Sequence, residues 1–162
     1  MIDVLKRLVL LLGFVTIALI GAGCDDADDS SDCSLESVLD DAETPGTLDC
    51  GSLTLGDSDA AFQAVSDCVS SAALSKAPFR AIWEIEGIDS ELREAYLGHL
   101  DAGVFEIVAY HWDSDVTGVG DAEPQAFGTR CLSFTAADEP CDSLREDLCF
   151  VCAPGEVADQ CP

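Results

Sequence analysis

Positive charge is scarce in this sequence. Its 162 residues hold seven Lys+Arg against 32 Asp+Glu, a formal charge of −25. A polyanion such as nucleic acid meets no cationic footprint here, which excludes nucleic acid as a partner. Histidine is limited to His99 and His111, and no G-x-S-x-G nucleophile elbow occurs. The greasiest run, Leu8 to Ile20, is shorter than the roughly 20 residues of a spanning helix.

What remains is not a disordered chain. Hydrophobic residues make up 48% of it, with two Trp and seven Phe, enough to build a core. Nine cysteines point away from a reducing cytosol.

The amino end has the anatomy of an export signal. Lys6 and Arg7 precede an uncharged run that ends in Gly21, Ala22 and Gly23, with Cys24 next. Basic residues, a short apolar stretch and small residues are the parts of a cleaved signal. The ending resembles the lipobox of bacterial lipoproteins, with Ala22 and Gly23 in the two positions before the cut and Gly21 where Leu is usual. The resemblance implies cleavage before Cys24 and lipid attachment to its sulfur. Two or three acyl chains then give stable membrane anchoring, while acidic protein surface stays away from anionic lipid. Removing Cys24 leaves Cys33, Cys50, Cys68, Cys131, Cys141, Cys149, Cys152 and Cys161, an even set able to form four disulfides in an oxidising compartment. The expected place is the extracytoplasmic face of a bacterial cell envelope.

Four segments follow from composition. Residues 1–23 are the signal peptide. Residues 24–49 begin with a tether of five Asp, two Ser and one Ala after Cys24, which repels itself and stays solvated. A short helix capped by Ser34 follows, ended by Pro45-Gly46. Residues 50–135 form the domain, and residues 136–162 a cysteine-rich tail held by covalent staples.

Within the domain, Asp57 or Ser58 caps a helix whose Ala61, Phe62, Val65, Cys68, Val69 and Ala72 recur at three- and four-residue steps. Cys68 on that apolar face is expected to be buried and bridged. Strand patterns then run from Phe79 to Glu86, Leu92 to Leu100, Val104 to Trp112 and Arg130 to Thr135. The expected fold is therefore α+β, one main helix on an antiparallel meander of about four strands with a disulfide-rich tail. A three-residue loop, Asp101 to Gly103, sets Leu100 opposite Val104. Ala95, Leu97, Phe105, Ile107 and Ala109 then face the helix, and the tail covers the other side.

Several groups of residues invite chemistry. Leu53 to Ser58 resembles the strand and Gly-Asp-Ser block of GDSL-type esterases, a family that also requires a late Asp-x-x-His. Neither histidine has Asp three residues earlier, and helix capping accounts for Asp57 and Ser58. On the expected hairpin His99 lies opposite Phe105, and the two histidines sit roughly 20 Å apart, too far for one metal. Cys149-Phe150-Val151-Cys152 has redox or zinc spacing, but Glu146 and Asp147 oppose a thiolate. Structural disulfides are the simpler use in an exported chain.

The sharpest ligand motif is the acidic loop from Asp113 to Pro124. Asp113, Asp115, Thr117 and Asp121 place oxygens at the first, third, fifth and ninth positions, with Gly118 at the sixth. This resembles an EF-hand calcium loop, with Pro124 in place of the bidentate Glu at position twelve.

The functional expectation is a monomeric lipid-anchored module, binding or structural, without catalysis and without a cofactor. Its envelope partner is not specified by the sequence. The alternatives are a calcium-dependent adhesion module using the 113–123 loop and a small extracytoplasmic hydrolase with an acidic site.

Overall fold

The computed structural model describes residues 33–117, 124–137 and 148–160. Cys24, Asp121, Cys141 and Cys161 lie outside these residues, as do the proposed signal peptide and acidic tether.

Two helices and six strands make up the described chain. They are α1 (Leu35–Ala42), β1 (Leu48–Leu53), α2 (Asp59–Ser75), β2 (Phe79–Ile85), β3 (Leu92–Asp101), β4 (Val104–Asp113), β5 (Gln125–Ala136) and β6 (Phe150–Gln160). All six strands join one mixed sheet in the order β1-β2-β3-β4-β5-β6. β1 runs parallel to β2 and α2 makes the crossover between them. The other four pairings are antiparallel.

This corrects the expected α+β meander of four strands under one helix. The sheet gains a parallel edge strand, β1. Residues 150–160 form the sixth strand rather than part of a stapled tail. Both additions lie at sheet edges, where half-exposed strands carry little hydrophobic alternation. β1 is Leu-Asp-Cys-Gly-Ser-Leu, and of its six residues Leu53 alone is buried. β6 holds Pro154 and Gly155, residues that read as a break but are tolerated at an edge.

Both helices form as their sequences dictate. Ser34 caps α1, its hydroxyl accepting from the Ser37 amide at 3.1 Å. Ser58 caps α2 by accepting from the Ala61 amide at 3.4 Å. Lys76 ends α2 in the left-handed region, φ 55°. Cys68 on α2 is bonded to Cys50 on β1, which ties the crossover helix to the edge strand it follows.

The helices cover opposite faces of the sheet. Phe62, Val65, Val69 and Ala72 of α2 pack on Phe79, Ala81, Trp83, Tyr96 and Ile107. Leu35 and Leu39 of α1 pack on Ile82, Ala95, Leu97, Val108 and Tyr110. Fully burying such side chains stabilises by about 1.5–3 kcal/mol each.

The β3–β4 register differs from the expected one. Asp101 pairs with Val104 and Leu100 with Phe105, so the hairpin turns on Ala102 and Gly103 alone. Both have positive φ, 48° and 85°, the backbone of a two-residue turn that follows the twist of its strands. A one-residue slip transfers every side chain of a strand to the other face. Ala95 and Leu97 therefore meet α1, while Phe105, Ile107 and Ala109 lie on the α2 side. They do not share a face as expected. Among the described residues the side away from α2 is covered chiefly by α1, with Ala158 of the tail at its margin, while Leu148 and Phe150 of the tail join the α2 cluster.

Candidate functional site

The site grows out of the last third of β5. That strand pairs with β4 from Gln125 as far as Arg130, which is level with Val108. Register irregularities then follow in its pairing with β6, between Gly128 and Ser133. Such bulges bend a strand. Beyond them Phe134 reaches across β4, and its ring lies 4.9 Å from that of Tyr96 on β3. Phe150 at the start of β6 stacks on Phe134 at 4.7 Å and meets Tyr96 edge-on. Trp83 completes the row, 4.8 Å from Tyr96. The Cys131–Cys152 disulfide holds the two strands of this arm together.

The arm does not close down on the end of α2. Between them lies a cavity of about 730 Å³, within the range of pockets that take small molecules. Leu74 of α2, Phe105 and Ile107 of β4, Leu132 and Phe134 of β5, and Phe150 give it an apolar lining. At its mouth Leu74 is 85% exposed and Leu132 77% exposed.

Three charged residues border the cavity: Lys76, Glu106 and Arg130. Arg130 and Glu106 form an ion pair with each other. Arg80 bridges Asp40, Glu43 and Asp49, and Arg93 is paired with Glu36. Among the described residues, Lys76 is the one Lys or Arg without an ion-pair partner.

A second, smaller cavity of about 400 Å³ lies on the same side of the sheet, bordered by Glu94, His111, Phe127, Phe150 and Pro154. His111 Nδ1 lies 3.3 Å from a Glu94 carboxylate oxygen. That hydrogen bond raises the imidazole pKa above its usual value, against partial burial and with help from the charges of Glu94 and Asp113.

The residues singled out in the sequence fall in separate places. His99 pairs with Glu106, not Phe105, while His111 pairs with Glu94, so the two imidazoles are on opposite faces. Asp57 closes the turn before α2, accepting from the Thr54 amide at 2.7 Å, and Ser58 is the cap. Asp113 accepts from the Asp115 amide at 2.9 Å. Asp115 accepts from the amide and hydroxyl of Thr117 at 3.0 and 2.7 Å. These carboxylates shape the first turn of the acidic loop. Among the described residues no three His, Cys, Asp or Glu gather to hold a metal.

Six cysteines are described, and all six are disulfide-bonded: Cys33, Cys50, Cys68, Cys131, Cys149 and Cys152. Cys152 is bonded to Cys131, so the C-x-x-C of Cys149 and Cys152 is not an internal redox couple. Bonded sulfurs also leave no thiolates there for zinc.

Sequence reasoning missed the cavity and Lys76. Their signal is non-local: the lining comes from α2, β4, β5 and β6, and only the bend in β5 brings it together. Compared with protein families, curated proteins and solved structures, the chain matches none.

Proposed function

We propose that this chain is a bacterial cell-envelope lipoprotein, held by lipid on Cys24, whose oxidised domain acts by binding rather than by catalysis. The oxidised state of all six described cysteines carries the reading, because disulfides form and persist outside the reducing cytosol. The lipobox-like ending at Cys24 supplies the anchor. The apolar cavity between α2 and the β5–β6 arm supplies a binding surface, and its Arg130–Glu106 pair is already neutralised.

Intact mass of the protein extracted from membranes tests this, with and without reduction and thiol labelling. The expected result is a chain that begins at Cys24, carries acyl mass and has its remaining eight cysteines masked. A chain retaining residues 1–23, or one whose thiols label without reduction, overturns it. Reproducible turnover on a hydrolase substrate panel overturns the non-catalytic part.

A further inference from the structure

We infer that the cavity between α2 and the β5–β6 arm binds one amphipathic anion, a long-chain carboxylate, with its chain on the aromatic and aliphatic lining and its head group at Lys76. The inference deepens the binding role proposed above and rests on it.

The chemistry of the wall fixes the body of the ligand. Leu74, Phe105, Ile107, Leu132, Phe134 and Phe150 offer a continuous apolar surface, with the hydroxyl residues Ser70, Ser133 and Thr135 also on the wall. The mouth carries exposed Leu74 and Leu132, apolar area that a monomeric protein tends not to leave in water without use.

Charge fixes the head. In a chain of −25 an anion is repelled nearly everywhere, and three of the four described cations are consumed by carboxylates. Lys76 is the exception, and it borders the apolar cavity. Its backbone adds an independent observation. Lys76 holds φ 55° at the C-cap of α2, where glycine or asparagine sits at less cost. A lysine there adds favourable charge at the helix C-terminus, yet that role leaves its ammonium free to meet a ligand. A second copy of the chain is a poor occupant, since two bodies of the same high charge repel.

The test uses the full exported chain, oxidised, with Cys24→Ser to remove its own lipid. Hexadecanoate and hexadecan-1-ol are titrated by calorimetry below the concentration at which either aggregates. One hexadecanoate per chain is expected, bound about tenfold more tightly than the alcohol, the factor for one charge-assisted contact. Lys76→Gln is expected to abolish that preference while the alcohol still binds. Leu132→Glu, at an exposed position, is expected to weaken hexadecanoate further by placing a like charge at the mouth. No saturable binding overturns the inference. So does an equal affinity for both probes in the unaltered cavity, or a preference that survives Lys76→Gln. Concentration-dependent dimerisation that blocks uptake assigns the groove to a second copy and overturns it too. A membrane-extracted chain with acyl mass on Cys24 that takes up no hexadecanoate defeats this inference alone, whereas an unprocessed chain that binds it defeats the lipoprotein reading alone.

Discussion

His111 and Glu94 face each other across β3 and β4, with imidazole nitrogen and carboxylate oxygen 3.3 Å apart. The pair borders the smaller cavity, and its effect on stability has a definite sign. The hydrogen bond to Glu94 comes first, and it raises the His111 pKa despite partial burial. A histidine with a raised folded-state pKa contributes stability fully below its unfolded pKa, near 6.5. That contribution disappears as the pH rises through the folded value.

Glu94→Gln is therefore expected to move the His111 titration to lower pH, read from its imidazole resonances by NMR. The variant should lose more stability at pH 5 than at pH 8. Because His111 is nearly half exposed, the loss stays under about 1 kcal/mol. An unchanged titration curve would show that the pair does not form in solution.

Gly98 on β3 is a packing requirement. A Cβ there would lie 2.4 and 2.6 Å from ring carbons of Phe79 and 3.0 Å from Phe105. Phe79 is fully buried and has nowhere to withdraw. Gly98→Ala is expected to cost about 1–3 kcal/mol by overpacking, measured by urea unfolding. A neutral result would mean that β3 and β2 pack less closely than described.

The role of α1 is open to a direct check. Leu39 is completely buried against the sheet. Leu39→Ala should destabilise the whole domain by about 2–5 kcal/mol, seen as one cooperative shift in thermal unfolding. A local loss of helix with unchanged melting of the sheet would show α1 to be an accessory.

The Cys50–Cys68 bond closes a loop with a sequence separation of 18. Loop-closure entropy puts its worth at about 3 kcal/mol. The Cys50→Ala, Cys68→Ala double variant should lose that much in denaturant unfolding of the oxidised protein. The loss should centre on β1, because α2 keeps its contacts with β2 through Phe62, Val65 and Val69.

Salt should stabilise the domain. Seven Lys+Arg face 32 Asp+Glu, and mobile ions screen that self-repulsion within about 10 Å at 0.1 M. The melting temperature is expected to rise between low and moderate ionic strength. Arg80, which joins Asp40, Glu43 and Asp49, works against this trend, because its own attractions are screened as well.

Both helices were legible because their caps and apolar spacings are local signals, as Ser34, Ser58 and the Phe62–Val69 face show. Strands β2, β3 and β4 were legible in outline from their alternation. The β3–β4 register was not, since choosing between two- and three-residue turns depends on whether Ala102 adopts positive φ, an uncommon state for alanine. β1 was missed because its Gly51, at φ 116°, and its exposed Asp49 obscure any alternation. β6 was missed because Pro154-Gly155 punctuates it. The cavity depends on the bend after Arg130, which no short window of residues encodes. The lipobox-like ending at Cys24 and the acidic loop, by contrast, are contiguous motifs, and most of their residues lie outside the described part.

The indole nitrogen of Trp112 donates to the carbonyl of Cys33 at 2.8 Å, pinning the start of the described chain to the closing end of β4. The cavity lies at that strand's opening end, beside Val104 and Phe105. At roughly 3.3 Å per residue, the strand from Val104 to Trp112 spans about 26 Å. The domain thus has two poles: the polypeptide arrives at one, and the cavity opens towards the other. Changes at the pole of Trp112 and Cys33 are therefore separated from the cavity lining by the length of β4.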